Sequence, residues 1–240
     1  MYSIETNKLT KHFKDKIAVN GINLSIKEGE LFALLGVNGA GKTTTIKMLS
    51  GLILPTSGSI TIEGMDMKKD TLKIKELLNV SPQETAVAGN LTVKENLLFM
   101  AGVYQIDNKE SKIDELVKMF KLKEVLNKKA KTLSGGWQRR LSIAISLIND
   151  PKILFLDEPT LGLDVIARKE LWKIINGLKG KITIILTTHY MEEAESLSDR
   201  IAIMVDGNIV DIGTSKELIA KTKTKNFEDA FVSIATGGEL

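Results

Sequence analysis

The residues most suited to chemistry are Gly36-Val37-Asn38-Gly39-Ala40-Gly41-Lys42-Thr43-Thr44, which follow directly on the apolar run Leu31–Leu35. Glycines let the backbone turn tightly, so that successive amide N–H groups point inward at an anion, and a helix beginning there adds its positive end. Strand, glycine loop, lysine, Ser/Thr and helix in that order match a P-loop, a cup that fits a triphosphate. In this reading Lys42 reaches the β and γ phosphates and Thr43 offers its hydroxyl to Mg²⁺. A plain glycine turn from strand to helix is the alternative, and it leaves the lysine and threonine spacing unexplained.

A P-loop needs a second metal anchor. Ile153-Leu154-Phe155-Leu156-Asp157-Glu158 supplies an apolar strand that ends in two carboxylates. Side chains alternate across a strand, so the neighbours cannot share one role: Asp157 reads as the Mg²⁺ partner and Glu158 as the general base for an attacking water. Taken alone, an Asp-Glu pair closing a strand reads as a helix cap or solvated turn. The phosphate loop upstream is what favours catalysis.

These groups need a scaffold, and the 240 residues can bury a sizeable core. With 43% hydrophobic and 26% charged residues the composition is globular, neither disordered nor fibrous. A net charge of +3 is too small for a chain-wide nucleic-acid or membrane-surface argument. The absence of cysteine excludes disulfides and thiolate metal sites, and two histidines leave little for a metal cluster. Residues 1–5 lack a secretory-signal pattern, and no window approaches the roughly 18 apolar residues of a membrane helix.

Continuous apolar runs at Leu31–Leu35, 153–156, 182–186 and 201–205 predict strands covered on both faces, hence a mainly parallel central sheet. Alternating segments at 22–26 and 60–62, bounded by Lys27-Glu28-Gly29 and Thr56-Ser57-Gly58, predict an antiparallel layer near the start. From 84 to 150 no strand pattern occurs, while Ile113, Leu116, Val117 and Phe120 recur at helical spacing. Phe227, Phe231 and Ile234 predict a tail helix that docks on its own domain. Lysine patches at 68–75 and at Lys221, Lys223 and Lys225 read as solvated surface.

Leu133-Ser134-Gly135-Gly136-Trp137-Gln138 precedes the carboxylate strand, and with it the chain resembles the ATP-binding subunits of ABC transporters. By itself Ser-Gly-Gly would read as an N-terminal cap. The resemblance extends over almost the whole chain. It implies an α/β fold: a P-loop NTPase core with a mainly parallel central sheet, an N-terminal antiparallel β layer and an inserted helical subdomain. The single domain would span 1–240, its core at about 1–83 and 151–215, the helical subdomain at about 84–150 and a short tail at 216–240.

Phe13 occupies the position of the family's adenine-stacking aromatic, Gln83 in Val80-Ser81-Pro82-Gln83 that of its Q-loop glutamine, Asp164 that of the D-loop and His189 that of the switch histidine. Singly these would be core, surface amide, helix cap and turn residue. The family implies ATP and Mg²⁺ as ligands. It also implies a homodimer in the ATP-bound state, docked head to tail, in which Ser134, Gly135 and Gly136 face the γ-phosphate held by the opposite subunit. His189 would touch the γ-phosphate, Gln83 the metal and water, and Asp164 the dimer boundary.

Three departures stand out: Phe13 where many relatives have Tyr, Trp137 where a polar residue or Met is commoner, and Val165 where Pro is usual. None removes a phosphate ligand, and Trp137 could face a partner subunit or fill a gap in the helical lobe. The run Thr187-Thr188-His189-Tyr190-Met191-Glu192-Glu193-Ala194-Glu195 and the short tail look like ABC-2 type exporters of drugs, lantibiotics or sodium. Such a chain works peripherally at the cytoplasmic face of the membrane with a separately encoded transmembrane permease and no nucleic acid. The alternative is a soluble ABC ATPase acting on a ribosomal, nucleic-acid or protein complex.

Overall fold

The computed structural model describes residues 1–14 and 16–238, so the last two residues of the expected tail, Glu239 and Leu240, lie outside the described residues. Tyr2–Phe13 and Lys16–Lys27 form long antiparallel strands, β1 and β2. Leu31–Leu35 follows as β3 and runs straight into the glycine loop, after which α1 covers Lys42–Leu49. β4 (Ser57–Ile62) and β5 (Met65–Asp66) complete a four-stranded antiparallel sheet in the order β2-β1-β4-β5. α2 (Thr71–Leu77) leads into β6 (Leu78–Ser81), two residues before Gln83. Helices α3 (Val93–Val103), α4 (Lys109–Met119) and α5 (Gly135–Ile145) occupy the stretch expected to be helical.

The rest of the chain alternates: β7 (Ile153–Asp157), α6 (Val165–Leu178), β8 (Thr183–Thr188), α7 (Met191–Leu197), then β9 (Arg200–Val205) and β10 (Asn208–Gly213). Helices α8 (Ser215–Thr222) and α9 (Phe227–Ala235) follow. The six-stranded sheet has the order β10-β9-β3-β8-β7-β6, parallel throughout except that β10 pairs antiparallel to β9. This is the expected α/β architecture. Four strands were not foreseen: β1 and the two-residue β5 of the antiparallel layer, β6, Leu-Asn-Val-Ser, too short to show a period, and β10, whose Asn-Ile-Val-Asp-Ile-Gly mixes faces at a sheet edge.

Every residue of β3, β7 and β8 is buried, as continuous apolar runs require. Alternation then assigns the faces. Leu31 joins Leu154, Leu156, Ile184 and Leu186 against α3, α4, α5 and α6, so the helical stretch and the sheet share one apolar cluster. Phe32 and Leu34 turn the other way, toward Ile4, Ile22, Leu24 and Ile62 of the antiparallel layer and Ile46 and Leu49 of α1. Ala33 and Leu35 meet Ile201, Ile203, Ala194 and the tail residues Leu218 and Phe227, with Phe231 and Ile234 packed beside them. The tail helix docks on its own domain, as its spacing predicts.

Strand register fixes what comes next. Leu35 pairs with Thr188 and Asp157 with Thr187, so the start of the glycine loop, the carboxylate pair and the segment leading to His189 emerge side by side from the carboxyl ends of adjacent strands. That edge is where open α/β sheets bind ligands.

Phe227 is 1% exposed. Phe227→Ala should therefore destabilise the chain by about 3–5 kcal/mol in chemical denaturation, and an unchanged midpoint would mean that the tail is not docked in solution.

Candidate functional site

The loop is built so that only glycine fits at two of its positions. A Cβ at Gly36 would lie 2.3 Å from the Met204 carbonyl oxygen, and one at Gly41 would lie 2.3 Å from that of Ala18. Gly41 also takes φ 104°, a conformation open to glycine and strained for other residues. It is the N-cap of α1; no side chain caps this end and no acidic residue occupies the first turn, so the helix presents its N–H groups and positive end to the loop.

Lys42 is the first residue of α1 and is buried, with its ammonium donating to the carbonyls of Gly36 at 2.7 Å and Val37 at 3.2 Å. It also lies 3.3 Å from Glu158 Oε1. Beside it the Thr43 hydroxyl donates to Asp157 Oδ1 at 3.1 Å, and the Thr187 hydroxyl from β8 donates to the same oxygen at 2.5 Å. The two carboxylates separate as the strand alternation demands: Asp157 turns to Thr43 and Thr187, Glu158 to Lys42 and His189. His189 Nδ1 is 2.8 Å from Glu158 Oε2, and the imidazole packs on Tyr190 with ring centroids 4.1 Å apart.

Glu158 itself has φ 48°, an unfavourable conformation for a residue with a side chain. Its N–H donates to both the carbonyl and the hydroxyl of Thr187, at 3.1 and 3.0 Å, which ties down the strained turn.

These groups open onto a cleft of about 550 Å³. Phe13, Asn38, Gly39, Ala40, Gly41, Lys42, Thr43, Thr44, Gln83, Glu158 and His189 all line it, with Gly36 and Asp157 just beneath. Phe13 is 48% exposed at the rim, its ring 5.1 Å from the Lys11 ammonium. Lys16, Ala18 and Leu161 also line the cleft, and the sequence reading passed over them. Nothing in their types marks them; strand β2 and the turn after β7 carry them there.

The remaining predicted residues are elsewhere. Ser134 is exposed at the N-cap position of α5, its hydroxyl making no capping bond, with Gly135 and Gly136 in the first turn. Asp164 caps α6, accepting from the N–H groups of Ile166 and Ala167 at 2.9 Å. The starts of α5 and α6 come close: a Cβ on Gly136 would sit 3.2 Å from that of Ala167. Trp137 packs on the apolar cluster beneath the helical stretch, with Arg140 4.7 Å from its ring and paired in turn with Glu170.

Arg139, two residues beyond Trp137, was also missed. It is 3% exposed and donates to five carbonyl oxygens: Pro82 and Gln83 before the helical stretch, and Asp157, Glu158 and Pro159 after β7. Burial pushes its pKa down to about 10, against the pull of Asp157, Glu193 and Glu158, so it stays charged at neutral pH. It fastens α5, the Gln83 loop and the carboxylate turn to one another. The available signal was an arginine at a helix position that periodicity assigns to the interior.

Among the described residues no group of three or more His, Cys, Asp and Glu side chains could hold an ion unaided, and no helix is long and apolar enough to cross a membrane.

The sequence profile described as ABC transporter matches residues 19–161. The chain is 41% identical over 239 residues to the probable multidrug ABC transporter ATP-binding protein YbhF of Escherichia coli, an alignment that covers 96% of this chain and 41% of that protein, so the chain spans about two fifths of its length. Among solved structures, one described as an ATP binding subunit of an ABC transporter superposes with TM-score 0.86 at 27% identity, covering 96% of this chain and 98% of the other. The ATP-binding cassette MJ0796, solved as a dimer in a post-hydrolysis state with ADP and Pi, superposes with TM-score 0.79 at 27% identity, covering 88% and 98%. The fold is thus that of solved ATP-binding cassettes, and the chain belongs to the ABC transporter family as one of its ATPase domains.

Proposed function

We propose that the cleft binds ATP with Mg²⁺ and hydrolyses it, and that the cycle powers export through a transmembrane permease on the cytoplasmic face of the membrane. The observation that carries this reading is the convergence of Lys42, the Thr43–Asp157 pair and the Glu158–His189 pair on one cleft.

The donor set suits Mg²⁺: a hydroxyl and a carboxylate, both hard oxygen ligands, 3.1 Å apart at the mouth of the phosphate cup, with room for phosphate oxygens and water to complete the shell. Thr43 and Asp157 would hold the ion, Gln83 would reach it and the attacking water from the cleft wall, and the ion would neutralise charge between the β and γ phosphates. Phe13 offers its ring face to adenine. The N–H groups of residues 38–44 take the phosphate oxygens, and Lys42 adds a point charge to the β and γ groups.

A γ-phosphate in the cup competes with Glu158 for the Lys42 ammonium. The carboxylate is then left to accept a proton from water as the water oxygen bonds to the γ phosphorus and the bond to the β–γ bridging oxygen breaks, its electron pair leaving with ADP. His189, hydrogen-bonded to Glu158, orients that carboxylate and faces the γ-phosphate.

Ser134, Gly135, Gly136 and Asp164 do not reach their own cleft, which supports a head-to-tail homodimer in which they meet the nucleotide of the opposite copy. The MJ0796 cassette, solved as a dimer, favours a dimer here too. ATP stabilises the closed pair because its γ-phosphate bridges both copies, and hydrolysis removes the bridge. Helix α3 leaves Phe99 59% and Val103 57% exposed on the helical stretch that follows Gln83, an apolar surface suited to a permease loop. The likeness to a multidrug transporter protein favours export.

Glu158→Gln should bind ATP as the parent does yet lose about 10²–10⁴-fold in turnover, and should accumulate as a dimer on size exclusion with ATP and Mg²⁺; retained turnover would remove Glu158 from the role of base. Lys42→Ala should weaken nucleotide affinity by at least about tenfold, measured by titration calorimetry. A multi-span membrane protein recovered in stoichiometric amount with Glu158→Gln from detergent extracts containing ATP is expected; recovery of soluble dimers or ribosomal material alone would overturn the transport reading.

A further inference from the structure

Helix α7 carries, four residues past His189, a carboxyl that the proposed chemistry does not use. Glu193 is 0% exposed and does not line the cleft. Among the described residues no lysine, arginine or histidine nitrogen lies within 4.0 Å of it, in contrast to Glu158. Burying a carboxyl costs heavily unless its oxygens are satisfied, and an apolar residue would fill the same space without that penalty.

What satisfies Glu193 is informative. Its Oε1 accepts from the Thr160 hydroxyl at 2.8 Å and from the Trp172 indole N–H at 3.0 Å. The Thr188 hydroxyl is the third polar neighbour, and Oε2 makes no hydrogen bond of ordinary geometry. Burial raises the pKa of this carboxyl, and the Glu158 charge adds to that, while Thr188, Trp172 and Thr160 pull the other way.

The two partners and the neighbouring Thr188 come from three segments. Thr160 lies in the turn after Glu158, where the N–H of Leu161 donates to the Glu158 carbonyl at 3.2 Å. Thr188 ends β8 immediately before His189; its hydroxyl accepts from Tyr190 N–H at 2.9 Å and its carbonyl from Gly36 N–H at 3.3 Å. Trp172 lies on α6, the helix that Asp164 caps. All three side chains are under a tenth exposed. One buried carboxyl, on the helix that follows the histidine, therefore joins that helix to the turn that carries the proposed base and to the helix that begins at the dimer-facing aspartate.

We propose that Glu193 is a positioning residue for hydrolysis: by tying Thr160 and Trp172 to the helix that follows His189 it keeps Glu158 and His189 in contact. The proposal rests on the reading of Glu158 and His189 as the hydrolytic pair. Small displacements of a reacting group are costly, so release of this anchor should slow turnover without loosening the phosphate cup, which is built on β3 and α1.

The test uses the full chain, with steady-state ATPase kinetics and calorimetric binding of a non-hydrolysable ATP analogue with Mg²⁺. Glu193→Ala and Thr160→Val should each lower kcat by about 10–100-fold, with KM and analogue affinity within about twofold of the parent. Glu193→Gln, which keeps the acceptor oxygen for Thr160 and Trp172, should restore kcat to within about threefold. If Glu193→Ala does not fold, Thr160→Val decides, since it removes a single hydroxyl at nearly constant volume. Parental kcat in Thr160→Val, a kcat loss matched by lost analogue affinity, or a Glu193→Gln protein as slow as Thr160→Val would each overturn the proposal. Failure of the underlying reading shows separately, as retained turnover in Glu158→Gln.

Discussion

Four charged side chains, Lys42, Arg139, Asp157 and Glu158, each less than a tenth exposed, meet where β3 and β7 end. A buried charge is tolerable only when paired and hydrogen-bonded, and each of these is held by groups on a different element. Lys42 is held by loop carbonyls and Glu158, Asp157 by hydroxyls from α1 and β8, and Arg139 by five carbonyls from two segments. The sheet register, the glycines and the position of α5 can all be understood as conditions for placing this cluster.

The cluster is also poised. Glu158 shares Lys42 with two carbonyls and turns its other oxygen to His189, on a backbone in a conformation that costs free energy. Such strain persists only where surrounding structure fixes it, here through the bonds from Glu158 N–H to Thr187. Arg139 extends the same constraint to the Gln83 loop and to α5, which begins at Ser134. A movement of the helical stretch relative to the sheet thus has a direct mechanical route to the carboxylate turn.

The sequence disclosed most of this where side-chain type and spacing coincide with a backbone requirement. The glycine loop was legible because a Cβ cannot fit at Gly36 or Gly41, and the carboxylate pair because strand alternation forces Asp157 and Glu158 apart. The parallel sheet followed from runs buried on both faces. The short strand β6, the mixed edge strand β10 and the cleft residues Lys16, Ala18 and Leu161 were not legible, since their positions depend on pairing and not on local pattern. Arg139 and Glu193 were missed for a related reason: a charged residue inside a helix is read as surface from its type, even where helical spacing points inward, until tertiary structure shows other segments closing over it.

The central claim is that this buried charge cluster and the glycine cup read phosphate, with the aromatic rim adding only adenine contact. The most direct measurement is calorimetric titration of the full chain, with Mg²⁺ present, by a non-hydrolysable ATP analogue and by AMP. Several charge-assisted hydrogen bonds to the β and γ phosphates at about 1.5–3 kcal/mol each should make the analogue bind at least about 100-fold more tightly than AMP. Equal affinities would mean that the cup does not hold the triphosphate, and would contradict the account.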